Sequence, residues 1–87
     1  MSVIDAMRTR LAVLEPVVVE ILDDSARHAG HAGAMSGGGH FRLHIVSPRF
    51  AGSRTMERHR LVYDALGPLM KREIHALSIT AKTPDEP

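Results

Sequence analysis

The sequence predicts an α+β domain of the order αββααβ, a three-stranded mixed sheet with its helices packed on one face. Two observations carry this. Apolar residues recur at three- and four-residue steps in two stretches, around Val3 to Leu14 and from Thr55 to Met70, whereas they alternate from Val17 to Asp24, from His40 to Ile45 and from His75 to Ala81. The last two alternating stretches are separated by two helical segments, a crossover that makes their strands parallel, while a direct connection makes the first two antiparallel.

Ser2 with Asp5 three residues on gives a near capping box, and Val3, Ile4, Met7, Leu11 and Leu14 follow on one helical stripe up to Pro16. The next segment, Val17 to Asp24, is rich in β-branched residues. It sets Val17, Val19 and Ile21 on one side and Val18, Glu20 and Leu22 on the other. Ser25 to Gly39 reads as a mobile loop, with Gly33, Gly37, Gly38 and Gly39 after Gly30 and nothing apolar larger than Ala except Met35. Phe41, Leu43 and Ile45 then alternate with His40, Arg42 and His44.

The central helix opens after Ser53, a candidate cap. Thr55/Met56, His59, Val62, Leu66, Leu69 and Met70 form its apolar stripe. Gly67-Pro68 breaks it, and Pro68 to Arg72 restarts as a short helix because a first-position Pro gives up only an N–H without a partner. The final strand runs from His75 to Ala81, with His75 at the same parity as Leu77 and Ile79. Thr83-Pro84-Asp85-Glu86, within a short tail of residues 83–87, carries the signature of a helix start.

Eighty-seven residues suit one domain, residues 1–87, with a single modest core. With two Phe, one Tyr and no Trp, that core falls to Val, Ile, Leu and Met. The absence of cysteine excludes a disulfide scaffold, thiolate catalysis and a metal site built from thiolate sulfur by this chain alone. No stretch approaches the roughly 20 apolar residues of a membrane span, and the N-terminus lacks a signal-peptide pattern, so a cytoplasmic protein is expected. The net charge of +1 is unevenly placed: residues 42–72 hold seven basic side chains against Glu57 and Asp64. Arg49, Arg54, Arg58, Arg60, Lys71 and Arg72 read either as a solvated helix face or as a surface for a partner or nucleic acid. No nucleophile beside a base, no paired carboxylates and no phosphate loop are present, so an enzyme is not expected.

Pro16-Val17 leading to Asp24-Ser25, His40-Phe41-Arg42, Val46-Ser47 with Phe50-Ala51-Gly52, Arg58-His59-Arg60-Leu61-Val62-Tyr63, and Ile74-His75-Ala76-Leu77-Ser78-Ile79 before Thr83-Pro84 resemble the BolA family over nearly the whole chain. The resemblance implies a fold like the class II KH domain and a partnership with a monothiol glutaredoxin. In that partnership a [2Fe–2S] cluster is shared with the glutaredoxin and glutathione, in the service of iron–sulfur assembly or iron- and redox-linked regulation. It also implies links to transcriptional regulation, stress and morphology. DNA is the alternative partner, and the chain alone is expected to be a monomer or a weak homodimer.

On its own His75 reads as a partly buried structural histidine. The resemblance makes it a cluster ligand, since imidazole is a competent iron ligand. His28 and His31 read as incidental loop histidines or as ligands; the resemblance favours at least one, His31 first and His28 second. His59, between Met56 and Val62, reads as structural, and His40 and His44 as surface residues. Leu66-Gly67-Pro68-Leu69 stands where nucleic-acid-binding KH domains carry Gly-x-x-Gly, which counts against the DNA alternative.

Overall fold

A computed structural model describes residues 2–24 and 39–87. Helix α1 covers Val3–Leu11, and the Ser2 side chain accepts the Asp5 backbone N–H at 3.1 Å. A 3₁₀ turn, Ala12–Leu14, continues it to Glu15, whose left-handed φ of 50° ends the helix one residue ahead of Pro16.

Strands β1 (Val18–Asp23), β2 (Gly39–Val46) and β3 (Ile74–Lys82) form one sheet in that order. β1 pairs antiparallel with β2, and β2 pairs parallel with β3, as the sequence predicts. The expected loop of residues 25–39 lies outside the described residues except for Gly39, which is the first residue of β2 rather than the last of a loop. Its N–H donates to the Glu73 carbonyl at 2.8 Å.

Helix α2 covers Thr55–Leu66. Its cap is Arg54, not Ser53: the Ser53 N–H still belongs to the preceding turn, donating to the Phe50 carbonyl, and the Glu57 carboxylate accepts the Arg54 N–H at 3.1 Å. Gly67, at φ 54° and ψ −126°, takes a conformation open to glycine and strained for other residues. A 3₁₀ turn, Gly67–Lys71, then takes the place of the expected short α-helix starting at Pro68.

The helices cover one face of the sheet. Met7, Leu11 and Leu14 meet Phe41, Leu43 and Ile45 of β2, Phe50, Val62 and Leu66 of α2, and Ile74 of β3, all buried, with Leu77 and Ile79 packed against them. The expected stripe is right at Val62 and Leu66 and wrong at Met56, which is 81% exposed in the first turn of α2. Buried Ser47 satisfies its hydroxyl by donating to the Leu14 carbonyl at 2.5 Å and accepting from the Arg49 N–H. Among the described residues, no helix is long and apolar enough to cross a membrane.

Candidate functional site: the head of the third strand

Along β3 the residues of odd number, Leu77, Ile79 and Ala81, are half-buried against the core, yet even-numbered Ile74 is 2% exposed. The two facts are reconciled by a β-bulge. Gly39 pairs with Ile74 and His40 with Ala76, so His75 is an extra residue opposite a single step of β2. Parity places His75 on the core side; the bulge instead lets Ile74 enter the core and leaves His75 exposed. This overturns the expected orientation of His75 and removes the structural reading of it.

The bulge sets His75 beside His40, with ring centroids 5.2 Å apart and planes tilted by 45°. His40 is half-buried, and its carbonyl accepts the Asp24 N–H at 2.7 Å, which fixes the head of β2 to the end of β1. Gly39 is fitted to its place: a Cβ there would lie 2.4 Å from Cε2 and 2.7 Å from Cζ of the Phe41 ring. Sequence reasoning places His40 on the surface and misses this pair. The signal is available, since two parallel strands that each open on a histidine bring those histidines to one end of the sheet.

His28 and His31 lie outside the described residues. His59 is half-buried on α2, as expected of a structural histidine. His44 faces away from the core and bonds Glu20 through Nδ1 at 2.8 Å. That pair, with Leu22, Arg42, Ser78 and Thr80, lines a hollow of about 450 Å³ on the uncovered sheet face. Its charged groups are already engaged, Glu20 with His44 and Arg42 with Asp24 at 2.8 Å. Among the described residues, no three His, Cys, Asp or Glu side chains stand together as a metal site.

The expected basic surface divides. Arg54, Arg60, Lys71 and Arg72 are exposed, but Arg49 bonds Glu15 through Nε at 2.8 Å and again through Nη2. Arg58 is not part of that surface. Its side chain is 13% exposed and donates to the carbonyls of Ser53 at 2.8 Å and Ala81 at 3.0 Å and to the Glu86 carboxylate at 2.6 and 2.9 Å. Glu86 also accepts the Thr83 N–H at 2.8 Å, closing a single turn where a helix start was expected. The Arg58 hydrogen bonds hold the Glu86 carboxyl down to about 2, and Glu86 in turn raises the Arg58 guanidinium.

A family model described as "BolA-like protein" matches residues 11–86. The chain belongs to the BolA-like family. Family resemblance and fold agree: the solved structure of BolA1 from Arabidopsis thaliana superposes with a TM-score of 0.82 at 39% identity, covering 100% of this chain and 99% of that one. The chain is 49% identical over 78 residues to SufE-like protein 1, chloroplastic/mitochondrial, of Arabidopsis thaliana, covering 84% of this chain and 21% of that protein. It is 39% identical over 72 residues to the DNA-binding transcriptional regulator BolA of Escherichia coli (strain K12), covering 83% of this chain and 66% of that protein. The chain therefore spans about a fifth of the first relative's length and two thirds of the second's. The family match indicates no catalytic family.

Proposed function

We propose that this chain is a non-catalytic partner of a monothiol glutaredoxin that shares a [2Fe–2S] cluster. In this reading the glutaredoxin and glutathione supply thiolates and this chain supplies imidazole, through His75 and through His31 or His28. The observation that supports it is the bulge that turns His75 out of the core into solvent, where a ligand shared with another protein has to stand. The donor set is compatible with this: the chain has no cysteine thiolate to offer, and imidazole is a competent iron ligand. Bound there, such a cluster supplies one-electron chemistry, at a potential raised by nitrogen ligation as in Rieske centres.

The test is anaerobic reconstitution of the complex with a monothiol glutaredoxin and glutathione, followed by visible absorption and EPR. His75→Ala should leave the domain folded and make the shared cluster unstable or shift its spectra towards all-thiolate character. The double variant His28→Ala/His31→Ala should do the same, and His59→Ala should lower stability without touching the spectra. An unchanged EPR signal in the His75→Ala complex removes the reading.

A second reading, nucleic-acid binding, is supported by the name of the Escherichia coli relative and by exposed Arg54, Arg60, Lys71 and Arg72. It requires affinity to fall with salt at a slope near −0.9 per phosphate contact and to collapse in Arg54→Glu/Arg60→Glu. Binding that ignores both removes it. Arg58 is unsuited to that test, because its reversal breaks the turn that holds the end of β3.

A further inference from the structure

We infer that the outer edge of β3 is an interface between two copies of this chain, paired antiparallel about a two-fold axis at Ser78. The sheet order β1-β2-β3 leaves two outer strands, and they are finished differently. β1 follows Pro16 and contains Glu20 and Asp23, and the Arg8 guanidinium donates to its Val19 carbonyl at 3.0 Å, devices that keep a second strand away from an edge. β3 is the longer strand, Ile74–Lys82 against Val18–Asp23, and from Ile74 to Ala81 it holds no acidic residue, Lys, Arg or Pro. Such an edge is a template for another strand.

Register favours a second copy as the occupant. The Ser47 N–H donates to the Lys82 carbonyl at 2.9 Å and Arg58 donates to the Ala81 carbonyl from the other side, so the backbone groups of Ser78, Thr80 and Lys82 turn to β2 and those of Leu77, Ile79 and Ala81 turn outward. Outward groups have to meet outward groups. With Ser78 on the axis, Leu77 of one copy lies opposite Ile79 of the other; each such pair exchanges both N–H···O bonds, and their half-buried side chains meet on the helix-covered face. Pairing stops where Arg58 occupies the Ala81 carbonyl and where the bulge at His75 breaks the ladder. Counted residue by residue, Ile74 would face Lys82 of the other copy. The bulge takes up one residue, so Glu73 of each copy comes level with Lys82 of the other, and opposite charges close both ends. The Lys82 ammonium, which donates to the Pro87 carbonyl, has further N–H groups to give. An unrelated strand gains the hydrogen bonds but not this doubled charge match.

The experiment takes the untagged chain to rising concentration and follows NMR diffusion and amide exchange. Monomer should give way to dimer as the concentration rises towards about 1 mM, and exchange at the Leu77 and Ile79 amides should slow in step. The Ile21 amide, on the guarded edge, should not change. Ser78→Lys sets like charges opposite one another on the axis and should abolish the dimer, as should Ser78→Glu. An equimolar mixture of the two variants should restore it as a heterodimer, which variants that had lost the fold could not do. A chain that stays monomeric at about 1 mM, a dimer that survives Ser78→Lys, or protection at Ile21 in place of Leu77 and Ile79 overturns the proposal. So does protection of Leu77 and Ile79 that appears only when an extended peptide is added, for the edge then belongs to a different partner. None of these results bears on the shared cluster, which is read by EPR.

Discussion

The two ends of β3 are built to opposite rules. At its C-terminal end Ala81 and Thr83 are tied down: the Arg58 guanidinium reaches across from α2 to the Ala81 carbonyl and to Glu86, and the Glu86 carboxylate accepts the Thr83 N–H. At its N-terminal end the ladder is interrupted, and the residue left out of register is an exposed histidine. A largely covered arginine with four hydrogen bonds and an exposed, unladdered histidine thus mark the two ends of one strand. Polar residues serve at one end by fixing the backbone, at the other by being free of it.

The largest effects should come from the apolar residues that flank the bulge. Ile74 is 2% exposed, so Ile74→Ala should cost about 2–5 kcal/mol in chemical denaturation, the range for large buried side chains cut to a methyl. A loss below about 1 kcal/mol would mean that the bulge does not drive Ile74 into the core. Next comes Gly39→Ala, where the new Cβ lies 2.4 Å from a carbon of the buried Phe41 ring. The ring has to move inside a packed core, at about 1–3 kcal/mol. An unchanged midpoint would show that Phe41 has room to turn aside.

The tied end has a pH signature instead. Glu86 titrates at about 2 against an ordinary 4.5, with the Arg58 hydrogen bond the leading cause and the Thr83 N–H the second. A carboxylate whose folded value lies below its unfolded value adds stability that is complete above pH 4.5 and is lost as pH falls towards 2. Glu86→Gln should therefore destabilise at neutral pH and flatten the acid limb of the stability curve between those values. If the acid limb of Glu86→Gln overlays that of the unaltered chain, the Arg58–Glu86 pair does not hold that end together.

Most of the architecture is legible in the sequence. Phe41, Leu43 and Ile45 alternate with polar residues, and Val62 and Leu66 stand four apart, so the sheet, the central helix and their shared core follow from period alone. Three features do not follow. Met56 fits the helical stripe by spacing, yet it is 81% exposed, because the period of a stripe does not say how many of its turns are covered. Arg58 looks like any other charge on a basic helix. Its position depends on a carbonyl 23 residues away and a carboxylate 28 away, contacts that no local pattern encodes. The bulge is a matter of register between β2 and β3. Alternation read along β3 alone starts one residue out of phase at His75, and only the pairing of Gly39 with Ile74 and His40 with Ala76 corrects it.

The smallest expected effect is the one that separates the two ends most sharply. His75 is exposed and is the extra residue of the bulge, so removing its ring gives up no core contact and no ladder pairing of its own. His75→Ala should therefore change the unfolding free energy by no more than about 0.5 kcal/mol, the usual span for a surface substitution. Ile74→Ala, one residue earlier, should exceed it several-fold, and that ratio is what the bulge predicts, because without the bulge His75 would share the inward parity of Leu77 and Ile79 and its loss would open a cavity. The measurement is paired urea denaturation of the two variants at one pH, with equal m-values required so that both midpoints refer to the same unfolding. If His75→Ala costs as much as Ile74→Ala, the histidine is part of the core, the strand has no bulge at its head, and a ligand role for His75 fails with it.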